Sequence, residues 1–280
     1  MESRALAMEI VGEDAAYLTG NVAPVASSIL VSTSRFLNNP RFRDVYAQMG
    51  LKRDGHDLPP AYLIPELNRA LAEETDMERM LQLLEAERQR LPEFAAWLDE
   101  RFVSDWSATD LSGCEEGTVG ARIRQFLAES GFEIDFMFRG PPADDYAYLN
   151  KRRVQNHDIE HMLTGLDTSQ VGEIALIVAN AVAIFDYFTP EFASQLSFQP
   201  MFLASTSLMR MACHYPDAVP AMLEGFAVGH AVGRRQARPL FMIRWEDWID
   251  VPCAEARTQL GFVAAPAEDH WGWVEAVARG

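Results

Sequence analysis

The sequence predicts an all-α fold, and three observations predict it. Apolar residues recur at three- and four-residue spacing through most of the chain, the period of one helix face. Alternating apolar and polar runs are almost absent, and Leu240 to Trp245 (LFMIRW) is the one stretch that could form a buried strand. At 280 residues the chain is long enough to bury a large core without disulfides.

Taken in order, the helices have local reasons. Between Glu66 and Leu91, apolar residues fall at Leu67, Leu71, Met77, Met80, Leu81 and Leu84 and make one helical stripe. Pro59, Pro60 and Pro92 are expected to bound it, and Glu73, Glu74, Glu85 and Glu87 to form its solvated face. Thr118 to Ser130 carries Val119, Ile123, Phe126 and Leu127 on one face, with Gly131 as the stop. Arg139 to Tyr146 (RGPPADDY) reads as loop, and helix resumes from Tyr148. A further helix lies between Pro216 and Pro239, and a short one runs from Pro252 to Leu260 and ends at Gly261. The expected organisation is an N-terminal helical accessory layer (1–90), a helical core (91–263) and a tail (264–280).

Charge narrows the function. With 24 basic and 41 acidic side chains the net charge is −17. Nucleic acid is thereby excluded as a partner, because phosphate binding needs clustered lysine and arginine. Broad electrostatic attachment to anionic lipid is disfavoured too, whereas docking through an apolar patch stays open. Cys114, Cys213 and Cys253 form no CxxC pair, which fits structural thiols in a reducing compartment. The N-terminus lacks a signal-peptide pattern, and the longest apolar candidate for a span, Ile174 to Phe185, is short and interrupted by Asn180. A cytoplasmic protein is expected.

The chemistry concentrates in His157-Asp158-Ile159-Glu160-His161, followed after eleven residues by Glu173. On a helix, His157 and His161 share a face one turn apart and can chelate one ion, with Asp158 close enough to be a third ligand. Gly165 permits a helix end, so the next helix can present Glu173. A carboxylate entering the apolar run Ile174 to Phe185 needs a partner to offset its desolvation. Two imidazoles and two carboxylates suit zinc, iron or manganese better than calcium or magnesium. The metal site is thus expected between two helices; the competing reading is a half-exposed, unligated histidine pair. Glu160 is a candidate base, but the simpler reading is a solvent-facing helix glutamate.

The stretch HDIEHMLTGLDTSQVGEIAL resembles the HDxxHx11E signature of the coenzyme Q biosynthesis protein four family of the ubiquinone pathway. Glu116-Gly117-Thr118-Val119-Gly120 is similar to that family's PEGTLG-type element. Gly233-Arg234-Arg235-Gln236-Ala237 and Arg257-Thr258-Gln259-Leu260-Gly261 resemble its C-terminal elements, so the likeness spans about residues 90 to 263. At Glu160 the chain departs from the family, which usually has an apolar or aromatic residue there.

The resemblance implies a helical protein holding a divalent metal, zinc first and iron or manganese as alternatives, through His157, Asp158, His161 and Glu173. It implies removal of the C1 carboxylate of a polyprenylated 4-hydroxybenzoate, in one view coupled to hydroxylation of that carbon. The alternative is a non-catalytic isoprenoid-lipid binding protein or scaffold for other ubiquinone enzymes, with a structural metal. Implied partners are a polyprenylated aromatic lipid, other ubiquinone-biosynthesis proteins and, weakly, the inner face of the membrane; a homodimer is left open.

Several other residues have two readings. Arg152 either meets a ligand carboxylate or the substrate acid, or forms a structural salt bridge. Pro200 to Met211 (PMFLASTSLMRM) either lines an isoprenoid tunnel or is ordinary core helix. Arg234 and Arg235 are read as surface or helix-end residues, with an anionic headgroup as the alternative. His56, His214, His230 and His270 lack metal-ligand spacing, and Trp245 to Trp248 (WEDW) is expected to pack against the core.

Overall fold

Helix α7 (Gln170–Tyr187) packs along the helices at Pro190–His214 and Val219–Gly233. In this computed structural model, residues 34–51, 63–104, 106–107, 109–130, 140–262 and 270–279 are described. After a one-turn helix at Arg35–Asn38 come α1 (Pro40–Leu51), α2 (Ile64–Glu74), α3 (Met77–Arg90), α4 (Pro92–Glu100), α5 (Val119–Ser130) and α6 (Asp145–Thr164), which precedes α7. Then follow α8 (Pro190–His214), α9 (Val219–Gly233), α10 (Cys253–Gln259) and α11 (Gly272–Arg279). Among the described residues there is no strand, only an isolated bridge between Thr118 and Pro252. The fold is all-α, as the helical periodicity predicts.

The tightest packing is between α7 and α9. Gly225, Gly229 and Gly233 recur every fourth residue on α9 and lie over Val171, Ala175 and Ala179, which recur identically on α7. A Cβ at Gly229 would collide with the Ala175 carbonyl, and one at Gly233 with that of Ala179. Only glycine lets the backbones approach this closely. Helix α7 is long and apolar enough to cross a membrane by length and composition, yet 61 % of it is buried within the helical core. Its apolarity is explained by that burial, since neighbouring helices cover it on several sides.

Local signals are used much as expected. The stripe between Glu66 and Leu91 is broken at Thr75–Asp76, where the Asp76 side chain caps α3 by accepting from the Arg79 N–H. Pro92 opens α4 at a position where a missing N–H costs nothing. Glu87 leaves the expected solvated face: it is buried, and its carboxylate accepts the Thr189 N–H at the start of α8. Asp144 caps α6 through the Ala147 N–H, so that helix begins three residues before Tyr148. Gly261, with φ +73°, follows α10 as expected. Pro59, Pro60, His56 and Gly131 lie outside the described residues.

One reading is corrected. Leu240 to Trp245 is not a strand but two short 3-10 turns, Leu240–Met242 and Trp245–Trp248. Among the described residues no neighbouring strand is there to pair with it. Instead the carbonyls of Phe241 and Ile243 accept hydrogen bonds from the Asn156 and Arg152 side chains. Packing contacts cross residues 90 and 263. Helices α3 and α4 share one buried cluster with Tyr148, Phe188, Phe192 and Phe241. Beyond residue 263, Trp271 and Val274 belong to the main core, and the Trp271 N–H donates to Glu224 on α9. Helices α1 and α2 do form their own small cluster, closed by Phe202 of α8.

If the glycine ladder sets the α7–α9 distance, Gly229→Ala should destabilise the fold by about 1–3 kcal/mol through overpacking. Gly113→Ala, where a Cβ meets nothing within 4 Å, should leave stability unchanged. Urea denaturation compares them, and equal midpoints for the two variants would contradict the packing argument.

Candidate metal centre

The turn from α6 to α7 builds the site. Gly165 caps α6 in the left-handed region at φ 78°, and its N–H bonds the His161 carbonyl. Arg257 of α10 donates to the carbonyls of Met162 (2.9 Å) and Leu163 (3.2 Å), pairing a cation with the negative end of α6. Ser169 caps α7 by accepting the Gly172 N–H at 3.1 Å. A Cβ at Gly172 would collide with the Asp167 carbonyl, so glycine is required where the turn folds back. Glu173 therefore enters the first turn of α7, where the helix dipole favours a carboxylate.

There it meets both histidines. His157 Nε2 lies 3.3 Å from Glu173 Oε2, and His161 Nε2 lies 3.1 Å from Glu173 Oε1. Ligand atoms of His157, His161 and Glu173 all fall within 4.8 Å of one another. Around a tetrahedral zinc with bonds of about 2.0–2.1 Å, neighbouring donors sit about 3.3 Å apart, so the spacing fits. Orientation fits as well. His161 Nδ1 donates to the Leu166 carbonyl at 3.0 Å, which leaves Nε2 to face the cluster. His161 is buried, whereas the His157 side chain is 40 % exposed and that of Glu173 25 %, so the cluster is open on one side.

Asp158, the fourth expected ligand, lies outside the three-residue cluster. It acts on the site through charge, as one of the anions beside His157. Burial pushes the His157 pKa down, but the hydrogen bond and charge of Glu173, aided by Asp158 and Glu160, lift it to about 9. Burial pushes Glu173 up, but hydrogen bonds to both histidines and their charges hold it well below the usual carboxylate range.

Glu160 is corrected outright. It is 4 % exposed rather than solvent-facing, and its Oε2 accepts from Asn180 Nδ2 of α7 at 2.7 Å. Burial pushes its carboxyl up, opposed by Asn180 and by the charges of His157, His161 and Arg153. Arg152 resolves as the structural salt bridge. Fully buried, it meets Glu246 (2.8 and 3.3 Å) and the Ile243 carbonyl, so its guanidinium is committed. Glu246, from the WEDW segment, was not singled out by sequence; it is six per cent exposed and also accepts from Ser104.

Pro200 to Met211 sits within α8 with Phe202, Ala204 and Met211 in core clusters, which is the ordinary core reading. Arg234 pairs with Asp186, and Arg235 is exposed. His214 bonds the Gly50 carbonyl, His270 pairs with Glu224, and His230 is exposed; none joins the cluster. Cys114 is buried, Cys253 partly buried and Cys213 exposed, and all three are free thiols. Sequence reasoning missed Asn180 and the Leu166 carbonyl. Asn180 was visible as the one polar residue interrupting the apolar run Ile174 to Phe185.

Fold and site together define a class: an all-helical protein with a two-histidine, one-carboxylate cluster bridging a helix–turn–helix. The family model for Coenzyme Q (ubiquinone) biosynthesis protein Coq4 matches residues 70–266, and the chain belongs to that ubiquinone-biosynthesis family. The crystal structure of a "Putative ubiquinone biosynthesis protein" from Nostoc punctiforme PCC 73102 superposes with a TM-score of 0.59 at 23 % identity. It covers 79 % of this chain and 94 % of that one, a likeness of fold. No curated protein sequence matches.

In the metal-free protein the titration of the cluster shapes stability. Folded, His157 keeps its proton up to about pH 9; unfolded, it releases it near 6.5. Its contribution is therefore complete below pH 6.5 and is lost as pH rises to about 9. Glu173 contributes above its ordinary value of 4.5 and loses that contribution as pH falls further. Melting of chelator-treated protein should thus weaken on both sides of a plateau near pH 5 to 6.5, with His157→Gln flattening the alkaline limb. An alkaline limb unchanged in His157→Gln would show that another group causes it.

Proposed function

We propose that this chain is a divalent-metal-dependent decarboxylase removing the C1 carboxylate of a polyprenylated 4-hydroxybenzoate intermediate in ubiquinone biosynthesis. One observation carries the reading: the His157–His161–Glu173 cluster, open on one side, in a chain of a ubiquinone-biosynthesis family. The three residues would hold the metal, with Asp158 as the candidate fourth donor. The donor set favours zinc, with iron and manganese as alternatives. Structural zinc sites are closed by four protein ligands, whereas catalytic ones keep a position free, so the exposure of His157 supports the catalytic reading over a scaffold with a structural metal.

Bound there, the metal supplies a Lewis acid where negative charge grows as the carboxylate leaves. The chain's own residues do the rest. The Leu166 carbonyl fixes the ring of His161, and the first turn of α7 keeps Glu173 anionic. The open side at His157 admits the aromatic head. The electron pair of the broken C–C bond stays on the ring carbon, which takes up a proton. We place the protein in the cytoplasm, at the inner face of the membrane where its lipid substrate resides, alongside other ubiquinone-biosynthesis enzymes.

The parent protein should retain one equivalent of metal and release CO2 from a prenylated hydroxybenzoate in a metal-dependent way. His161→Ala and Glu173→Ala should lose both. Elemental analysis and CO2 trapping decide it: bound metal without CO2 release moves the chain to the scaffold reading, and a His161→Ala protein that keeps its metal removes the ligand assignment.

Binding to liposomes should be weak and should survive added salt, because screening acts on charge contacts and not on apolar burial. Flotation at low and high salt measures it, and loss of binding in moderate salt would reverse the expectation.

A further inference from the structure

Thr164, the last residue of α6, is fully buried, and its hydroxyl bonds on both sides of the helix end. It donates to the Glu160 carbonyl one turn back at 2.7 Å, with a longer approach of 3.4 Å to the carbonyl of His161. A hydroxyl that donates in this way still has lone pairs to offer. The Leu166 N–H, also buried, donates to Thr164 Oγ1 at 3.2 Å. The other backbone group of Leu166 is the carbonyl that takes the His161 Nδ1 proton at 3.0 Å. These bonds run from the backbone of α6, through Thr164 and Leu166, and return to α6 at the ring of His161. Arg257 braces the same turn from outside, on the carbonyls of Met162 and Leu163.

We infer that Thr164 is a positioning residue of the metal centre: its hydroxyl holds the Leu166 carbonyl where that carbonyl orients the His161 ring. This rests on reading the cluster as a metal site. A carbonyl only accepts, so the bond to Leu166 keeps a proton on Nδ1 and leaves Nε2, 3.1 Å from Glu173, as the ligand atom. Leu166 itself belongs to no helix, because α6 ends at Thr164 and α7 begins at Gln170. Its place is therefore set by bonds made outside helical ladders, and the one to Thr164 ties it to α6. Without the hydroxyl, the Leu166 N–H would be buried beside a group that cannot accept, and the turn would have to shift to find it a partner. That shift would carry the Leu166 carbonyl away from the ring. Thr164 thus acts through Leu166 and not on the ion.

Competition between the full chain and a chromophoric chelator for zinc(II) tests this without any assay of turnover. Thr164→Val keeps the shape and removes the hydroxyl, and should weaken zinc binding about 10- to 100-fold, the range found for residues that support metal ligands. Thr164→Ser keeps the hydroxyl and loses the methyl group, and should stay within a few-fold of the parent. An unchanged dissociation constant in Thr164→Val overturns the inference and leaves the metal site standing. So does a Thr164→Ser protein as weak as Thr164→Val, since packing of the methyl group would then be the cause. NMR of the zinc-loaded parent carrying isotope-labelled histidine serves if Thr164→Val does not fold. His161 should coordinate through Nε2 and keep a slowly exchanging proton on Nδ1; coordination through Nδ1, or a rapidly exchanging proton there, overturns the inference. A parent chain that binds no zinc overturns both readings together.

Discussion

The close approach of α7 to α9 is the constraint on which the rest of the structure depends. Three glycines on α9 bring its backbone against Val171, Ala175 and Ala179 of α7, and this fixes the spacing of the two helices. The N-terminus of α7 is where Glu173 enters, so the position of the carboxylate is set by packing along the helix behind it. The ladder's last glycine, Gly233, is followed at once by Arg234, which pairs with Asp186 at the other end of α7. Helix α7 is thus held along its length and at its far end.

Helix α6 solves a different problem. It is buried, yet Lys151, Arg152, Asn156, Glu160 and His161 lie within the protein. Each finds a partner: Gly140 for Lys151, Glu246 for Arg152, the Phe241 and Ile243 carbonyls for Asn156, Asn180 for Glu160, and Leu166 with Glu173 for His161. Partnered in this way, polar groups cost little to bury and specify one arrangement, since a shift of register would orphan several at once. The metal-site candidates are the part of this network that opens to solvent.

The separated sequence blocks converge on that network. Backbone bonds from Val119 and Gly120 to Val251 and Ile249, and from Cys253 to Gly117, tie the EGTVG element to the chain entering α10. Helix α10 then presents Arg257 to the end of α6, beside His161. Blocks more than a hundred residues apart are thereby linked, through α10, to one short turn.

The sequence by itself determined the helices and the pairing of His157 with His161, because helical periodicity and a four-residue spacing are local properties of the backbone. Gly165 also marked a helix end, after which the next helix could present Glu173. What lies on either side of the histidines was decided only by tertiary structure. Asp158 and Glu160 flank the same face at similar angles, and nothing local says which is covered by α7; Asn180 covers Glu160. The fate of Arg152 depended on Glu246, ninety-four residues away, and the apolar LFMIRW run forms turns, with no partner strand for its backbone among the described residues. Spacing along a helix is set by bonds within it, whereas burial and pairing are set by which neighbours arrive, and those come from distant parts of the chain.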